Sequence, residues 1–163
     1  LVAIALTLPL AFETIEPNIM KRPPRNLNEP LLSTFVILRT ILVALLMASG
    51  TILLFFWEYS QGTLREAQTL AVTTLMFFQI FYLLNCRSLR FSVFKIGFFS
   101  NPYVLAGIGF VLLIQVAFVY LPLMNTIFGS APLNGRAWLN AMLIGLSILP
   151  IIALEKWIKG RKG

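Results

Sequence analysis

EPNIMKRPPRNLNEPLLS, residues 16–33, carries three basic residues and four prolines, and separates two strongly apolar runs. Pro17, Pro23, Pro24 and Pro30 forbid a regular helix or a central strand and favour a stiff, extended path. Lys21, Arg22 and Arg25 suit that path to an anionic membrane surface. The stretch therefore reads as a structured loop joining two hydrophobic elements, and its charge fixes the side of the membrane on which it lies.

Composition supports this. Of 163 residues, 58% are hydrophobic and 12% charged, with a mean hydropathy of +0.86, whereas soluble domains carry about 25% charged residues. The net charge of +7, from 13 Lys and Arg against 6 acids, is in a membrane chain a topology signal rather than a nucleic-acid footprint. Cys86 is the single cysteine and permits no internal disulfide. With neither His nor Asp, the residues contain no catalytic triad of the usual kind, no His metal cluster and no aspartyl-phosphate acceptor. No catalytic or metal-ligating residue is expected here.

Four apolar segments reach the roughly 20 residues that a membrane helix needs: 31–57, interrupted only by Arg39, then 67–85, 102–125 and 137–154. They are apolar on nearly every face, as helices between lipid and other helices are. The opening run, LVAIALTLPLAF, has 12 residues, no basic leader and no initiator methionine, so it reads as the end of a truncated helix rather than as a signal peptide. The expected fold class is all-α: a polytopic membrane helix bundle of four full transmembrane helices plus one truncated N-terminal helix. The expected divisions are the truncated helix at 1–12, a basic Pro-rich cytoplasmic loop at 13–30, and a four-helix domain with a cytoplasmic tail at 31–163.

Eleven of the 13 basic residues fall in the first connector and the helix start after it (Lys21, Arg22, Arg25, Arg39), the middle connector (Arg87, Arg90, Lys95) and the tail (Lys156, Lys159, Arg161, Lys162). Only Arg65 and Arg136 occupy the other two connectors. The positive-inside rule then places the C-terminus in the cytoplasm. Trp57, Tyr59, Tyr103, Trp138 and Trp157 fall near span ends, as interfacial rings do. Pro9 and Pro150 are expected to bend their helices, and Gly107 and Gly109, with Ala141, Gly145 and Ser147, to permit close helix approach. Arg39 is expected to snorkel as a lipid-facing anchor, and Glu155 to be an interfacial acid, solvated or paired.

FETIEPNIMKRPPRNLNEPLLS, residues 12–33, resembles the loop after the sixth membrane helix of calcium-pump-like P-type cation-transporting ATPases, matching at Phe12, Ile19, Met20, Arg22 to Arg25, and Glu29 to Leu31. IFYLLNCRSLRFSVFKIGFFSNPYVLAGI, residues 80–108, is similar to the end of the eighth helix and the following loop, through Asn85, Ser88, Leu89, Asn101, Pro102 and Leu105. VYLPLMNTIFGSAPL, residues 119–133, resembles the exit of the ninth helix, and LPIIALEKWIK, residues 149–159, the last helix. The resemblance implies the end of helix six plus helices seven to ten of a ten-helix, multi-pass pump of the cell membrane. ATP and Mg2+ would act on cytoplasmic domains bearing a D-K-T-G loop absent from these residues, so the segment alone would not be catalytic. The implied partners are the remaining helices and cytoplasmic domains, membrane lipids and the transported cation, with no nucleic acid. The alternative is a free-standing small membrane protein with a structural or regulatory role.

The same resemblance nominates site residues. A helix-six position that is an aspartate in calcium pumps falls on Ala3, which puts calcium as the cargo in doubt. A helix-eight ligand position falls on Gln79, whose amide oxygen suits a cation; an interhelical hydrogen bond is the other reading. Gln115 carries no implied ligand role and reads as a structural hydrogen-bonding group. Lys21, Arg22 and Arg25 are candidates for coupling domain motion to the ion site, or serve topology alone.

Overall fold

The computed structural model describes residues 2–12, 34–86 and 101–160. The connector at 13–33, with Lys21, Arg22 and Arg25, and the middle connector at 87–100 lie outside the described residues. Helix α1 (Val2–Thr7) runs into a 3-10 turn (Leu8–Phe12). It is followed by α2 (Thr34–Tyr59), α3 (Leu64–Cys86), α4 (Pro102–Tyr120), α5 (Pro122–Phe128), α6 (Gly135–Leu146) and α7 (Ile148–Gly160). Among the described residues there is no strand. Among the described residues four stretches are long and apolar enough to cross a membrane: Val36–Tyr59, Leu64–Cys86, Pro102–Tyr120 and Gly135–Glu155. The chain is a polytopic helix bundle, as its hydropathy predicts.

Helix ends follow local chemistry. Thr63 and Glu66 form a reciprocal capping box at the start of α3: the Thr63 N–H donates to Glu66 Oε2 at 2.7 Å and the Glu66 N–H to Thr63 Oγ1 at 3.3 Å. Asn101 caps α4 by accepting from the Tyr103 N–H at 2.9 Å, with Pro102 in the first turn, where its missing N–H costs nothing. Asn134 Oδ1 caps α6 through the Ala137 N–H at 2.8 Å. Gly129, at φ 68°, supplies the left-handed residue that ends α5.

Three prolines each withhold the N–H that the carbonyl four residues earlier would accept. Pro122 does so for Phe118, and the expected single helix over 102–125 is divided at Leu121. Ser130 Oγ lies 2.7 Å from the Phe118 carbonyl and supplies the lost donor. Pro150 does so for Leu146, where α6 gives way to α7 at Ser147. Pro9 does so for Ala5, at the change from α1 to the 3-10 turn.

Helix α3 is the hub, packing against α1, α2, α4, α6 and α7. Of its span 61% is buried, against 11% of that of α2, so α2 is the least buried of the four spans among the described residues. Small residues set the closest approaches. A Cβ on Gly145 would stand 2.7 Å from Phe77 Cβ and 3.1 Å from backbone atoms of α3. One on Gly107 would meet the Ala5 carbonyl at 2.9 Å. Gly109 departs from expectation: among the described residues a Cβ there would meet nothing within 4 Å.

Candidate functional site

The bundle interior holds few polar side chains, and each needs a partner because lipid and apolar side chains offer none. Three groups matter.

The first is a hydrogen-bonded network. The Thr69, Thr73 and Thr74 hydroxyls donate to the carbonyls of Arg65, Thr69 and Leu70 at 2.7, 2.8 and 2.8 Å. Thr73 Oγ1 also accepts from Gln115 Nε2 of α4 at 2.9 Å, and Thr69 Oγ1 accepts from the Ala131 N–H at 2.9 Å. Gln115 is thus a buried strut between α4 and α3. Nearby, the Tyr120 hydroxyl donates to the Leu133 carbonyl at 2.8 Å and accepts from Trp138 Nε1 at 3.1 Å. These bonds tie the segment between α5 and α6 to the spans.

The second is Gln79, six residues along α3 from Thr73. Its Oε1 is fully withdrawn from solvent and has no hydrogen-bond partner among the described residues. A buried carbonyl oxygen left unpaired costs about 1–3 kcal/mol. The structure therefore separates two glutamines of the same chemistry: among the described residues Gln115 Nε2 is paired, while the Gln79 oxygen is not. Ala3 brings no side-chain oxygen, and its carbonyl accepts from Thr7 Oγ1 at 2.9 Å.

The third is an ion pair that corrects the expectation for Arg39. This residue does not face lipid; its side chain is 8% exposed, and Nε lies 3.0 Å from Oε2 of Glu155 on α7. An unpaired guanidinium among these helices would be costly, so the pair is favoured over the snorkelled rotamer. The only sequence signal was that Arg39 and Glu155 are opposite charges at the same edge of their spans, Glu155 standing directly before Lys156. At the opposite end, a cavity of about 300 Å³ lies between Trp57, Glu58, Gln61, Arg136 and Asn140. Its Glu66 is engaged by the Thr63 cap. Among the described residues no group of three or more His, Cys, Asp or Glu is placed to hold a metal ion.

The chemistry available is thus ligation by isolated oxygens and interhelical support. Comparison with known proteins places the chain in a family. The family described as "Cation transporting ATPase, C-terminus" matches residues 1–158. A probable cation-transporting ATPase F of Mycobacterium tuberculosis is 38% identical over 154 residues, covering 94% of this chain and 17% of that protein. Calcium-transporting ATPase 1 of Yarrowia lipolytica is 31% identical over 149 residues, covering 91% and 16%. Calcium-transporting ATPase type 2C member 2 of Rattus norvegicus is 32% identical over 148 residues, covering 90% and 16%. The chain spans about a sixth of the length of these relatives.

Proposed function

Because the chain belongs to the C-terminal transmembrane region of the cation-transporting ATPases, we propose that it serves an ATP-driven cation pump by bracing the transport helices and lending Gln79 as one oxygen of the ion path. The observation that carries the ion-path reading is the buried, unpartnered Gln79 Oε1, beside a Gln115 whose amide is used. An amide is a cheaper cation ligand within a membrane than a carboxylate. The family likeness favours this role over that of a free-standing membrane protein. ATP hydrolysis and its Mg2+ belong to other parts of the pump, since these residues include no aspartate to phosphorylate. Residues 13–30, with Lys21, Arg22 and Arg25, form the cytoplasmic coupling loop in this reading, and the chain resides in the cell membrane with its C-terminus inside. The cargo is left as a cation, because Ala3 lacks the oxygen that a calcium site would draw on.

The test is the ion dependence of phosphoenzyme formation by the full-length pump. Gln79→Leu is expected to weaken it about tenfold, the loss of one good ligand, while Gln115→Leu leaves it nearly unchanged. Equal ion dependence of wild type and Gln79→Leu at normal expression would return Gln79 to a packing role.

A further inference from the structure

We propose that the Arg39–Glu155 pair is a latch holding the C-terminal half-helix α7 against α2, and that α7 is a lever hinged at Ser147–Pro150. This goes beyond the ion-path reading and does not depend on Gln79.

The span Gly135–Glu155 is held differently in its two halves. In α6, Ala137, Ala141 and Gly145 are all buried, and Gly145 lies flush on the Phe77 backbone. That half is keyed to α3. The helix is interrupted at Ser147, whose hydroxyl bonds back to the Ile144 carbonyl at 2.6 Å, and Pro150 withholds the donor that Leu146 would accept. A missing backbone bond is where a helix bends at least cost.

Beyond the interruption, α7 packs on α3 less extensively than α6 does, in a seam that α2 lines on its other side. Ile148 and Ile152 are buried with Val43 and Phe78, and Met47 and Tyr82 pack around them. Glu155 follows Ile152 by three residues and Ile148 by seven, on the same helical face. Arg39 precedes Val43 by four, on the matching face of α2. The 3.0 Å pair thus closes the seam at the end nearer the C-terminus of α7.

An ion pair is a poor choice for permanent adhesion, since apolar residues of similar volume hold at least as well without desolvating two charges. It differs in being breakable: with one partner lost, the other keeps its charge at the seam without the attraction that closed it. Glu155 is already 22% exposed, so water has only a short way to go. The lever bears Lys156 and Lys159, and α2 starts just beyond the basic connector. Opening the latch therefore moves the tail relative to the connector end of α2.

The experiment uses the full-length pump in native membranes with Cys86→Ser, and reads the N-ethylmaleimide labelling rate of Ile152→Cys or, from the other wall of the seam, Val43→Cys. Val119→Cys, buried in α4, reports on the remainder of the bundle. With the pair intact, all three are protected. In Arg39→Gln or Glu155→Gln the seam cysteines are expected to label about tenfold faster or more while Val119→Cys stays protected, and the swap Arg39→Glu with Glu155→Arg restores protection. Continued protection of both seam cysteines in the neutralised variants overturns the latch. So does parallel labelling of Val119→Cys, which would make the pair a general support, and so does failure of the swap.

Discussion

Gln79 and Gln115 show how little residue type alone decides. Both are amides within apolar helices, yet one donates to Thr73 across helices and the other keeps an oxygen unpaired. Gln115→Leu removes that bond but leaves Thr73 donating to the Thr69 carbonyl, so no hydroxyl proton is orphaned. The expected cost is about 0.6 kcal/mol and at most about 2, as for interhelical bonds in membrane bundles, read as a small fall in the unfolding midpoint in detergent. Ser130 is placed differently. Its hydroxyl answers the carbonyl that Pro122 leaves without a donor, so Ser130→Ala is expected to cost about 1–3 kcal/mol. The same change in a Pro122→Ala background should cost about 1 kcal/mol less, because residue 122 can then donate to Phe118 itself. Additive effects in that double-mutant cycle would show that the serine is not compensating for the proline.

At the scale of elements, packing closeness depends on which glycine faces a neighbour. Gly145→Ala drives a methyl to within 2.7 Å of Phe77 Cβ and against the backbone of α3, where nothing flexible can give way. Separation of α6 from α3 is expected to cost about 1–3 kcal/mol. Gly109→Ala enters open space and should be neutral or stabilising by about 0.5 kcal/mol through helix propensity. Thermal unfolding of the two variants side by side checks the contrast. Sequence alone treats these glycines as equals, because spacing reveals a small residue but not whether a helix lies over it. The spans themselves were legible, since some 20 apolar residues have few alternatives in a chain of this composition. The interruption near Pro150 was legible for the reason proline gives, whereas the division at Leu121 was hidden inside a run judged by hydropathy. Gln79 was legible as a candidate through family likeness only. The Arg39–Glu155 pair was not legible: its members stand 116 positions apart, and each alone reads as an interfacial charge.

For the molecule as a whole, orientation rests on charge. If the connectors at 13–30 and 87–100 and the tail face the cytoplasm, the α2–α3 and α5–α6 connections face outward, and the Arg39–Glu155 latch lies at the inner edge while the cavity near Trp57 and Arg136 opens outside. Single cysteines in a Cys86-free background test this with a membrane-impermeant thiol reagent. Gln61→Cys suits the first outer connection because Gln61 is exposed beyond the end of α2. Ser130 is unsuited to the second, being 6% exposed and 2.7 Å from both Phe118 O and Asn125 Oδ1; Thr126, exposed on α5, takes its place. Gln61→Cys and Thr126→Cys are expected to label in intact cells, and Ser100→Cys only after permeabilisation. Because the four spans alternate, the three positions are not independent. Labelling of Ser100→Cys from outside would require the whole bundle to invert, against eleven of 13 basic residues, and would place the proposed coupling loop on the side where no ATP is hydrolysed. The latch would then stand at the outer edge with nothing cytoplasmic to move. One permeability experiment therefore bears on the charge rule, the coupling loop and the lever together.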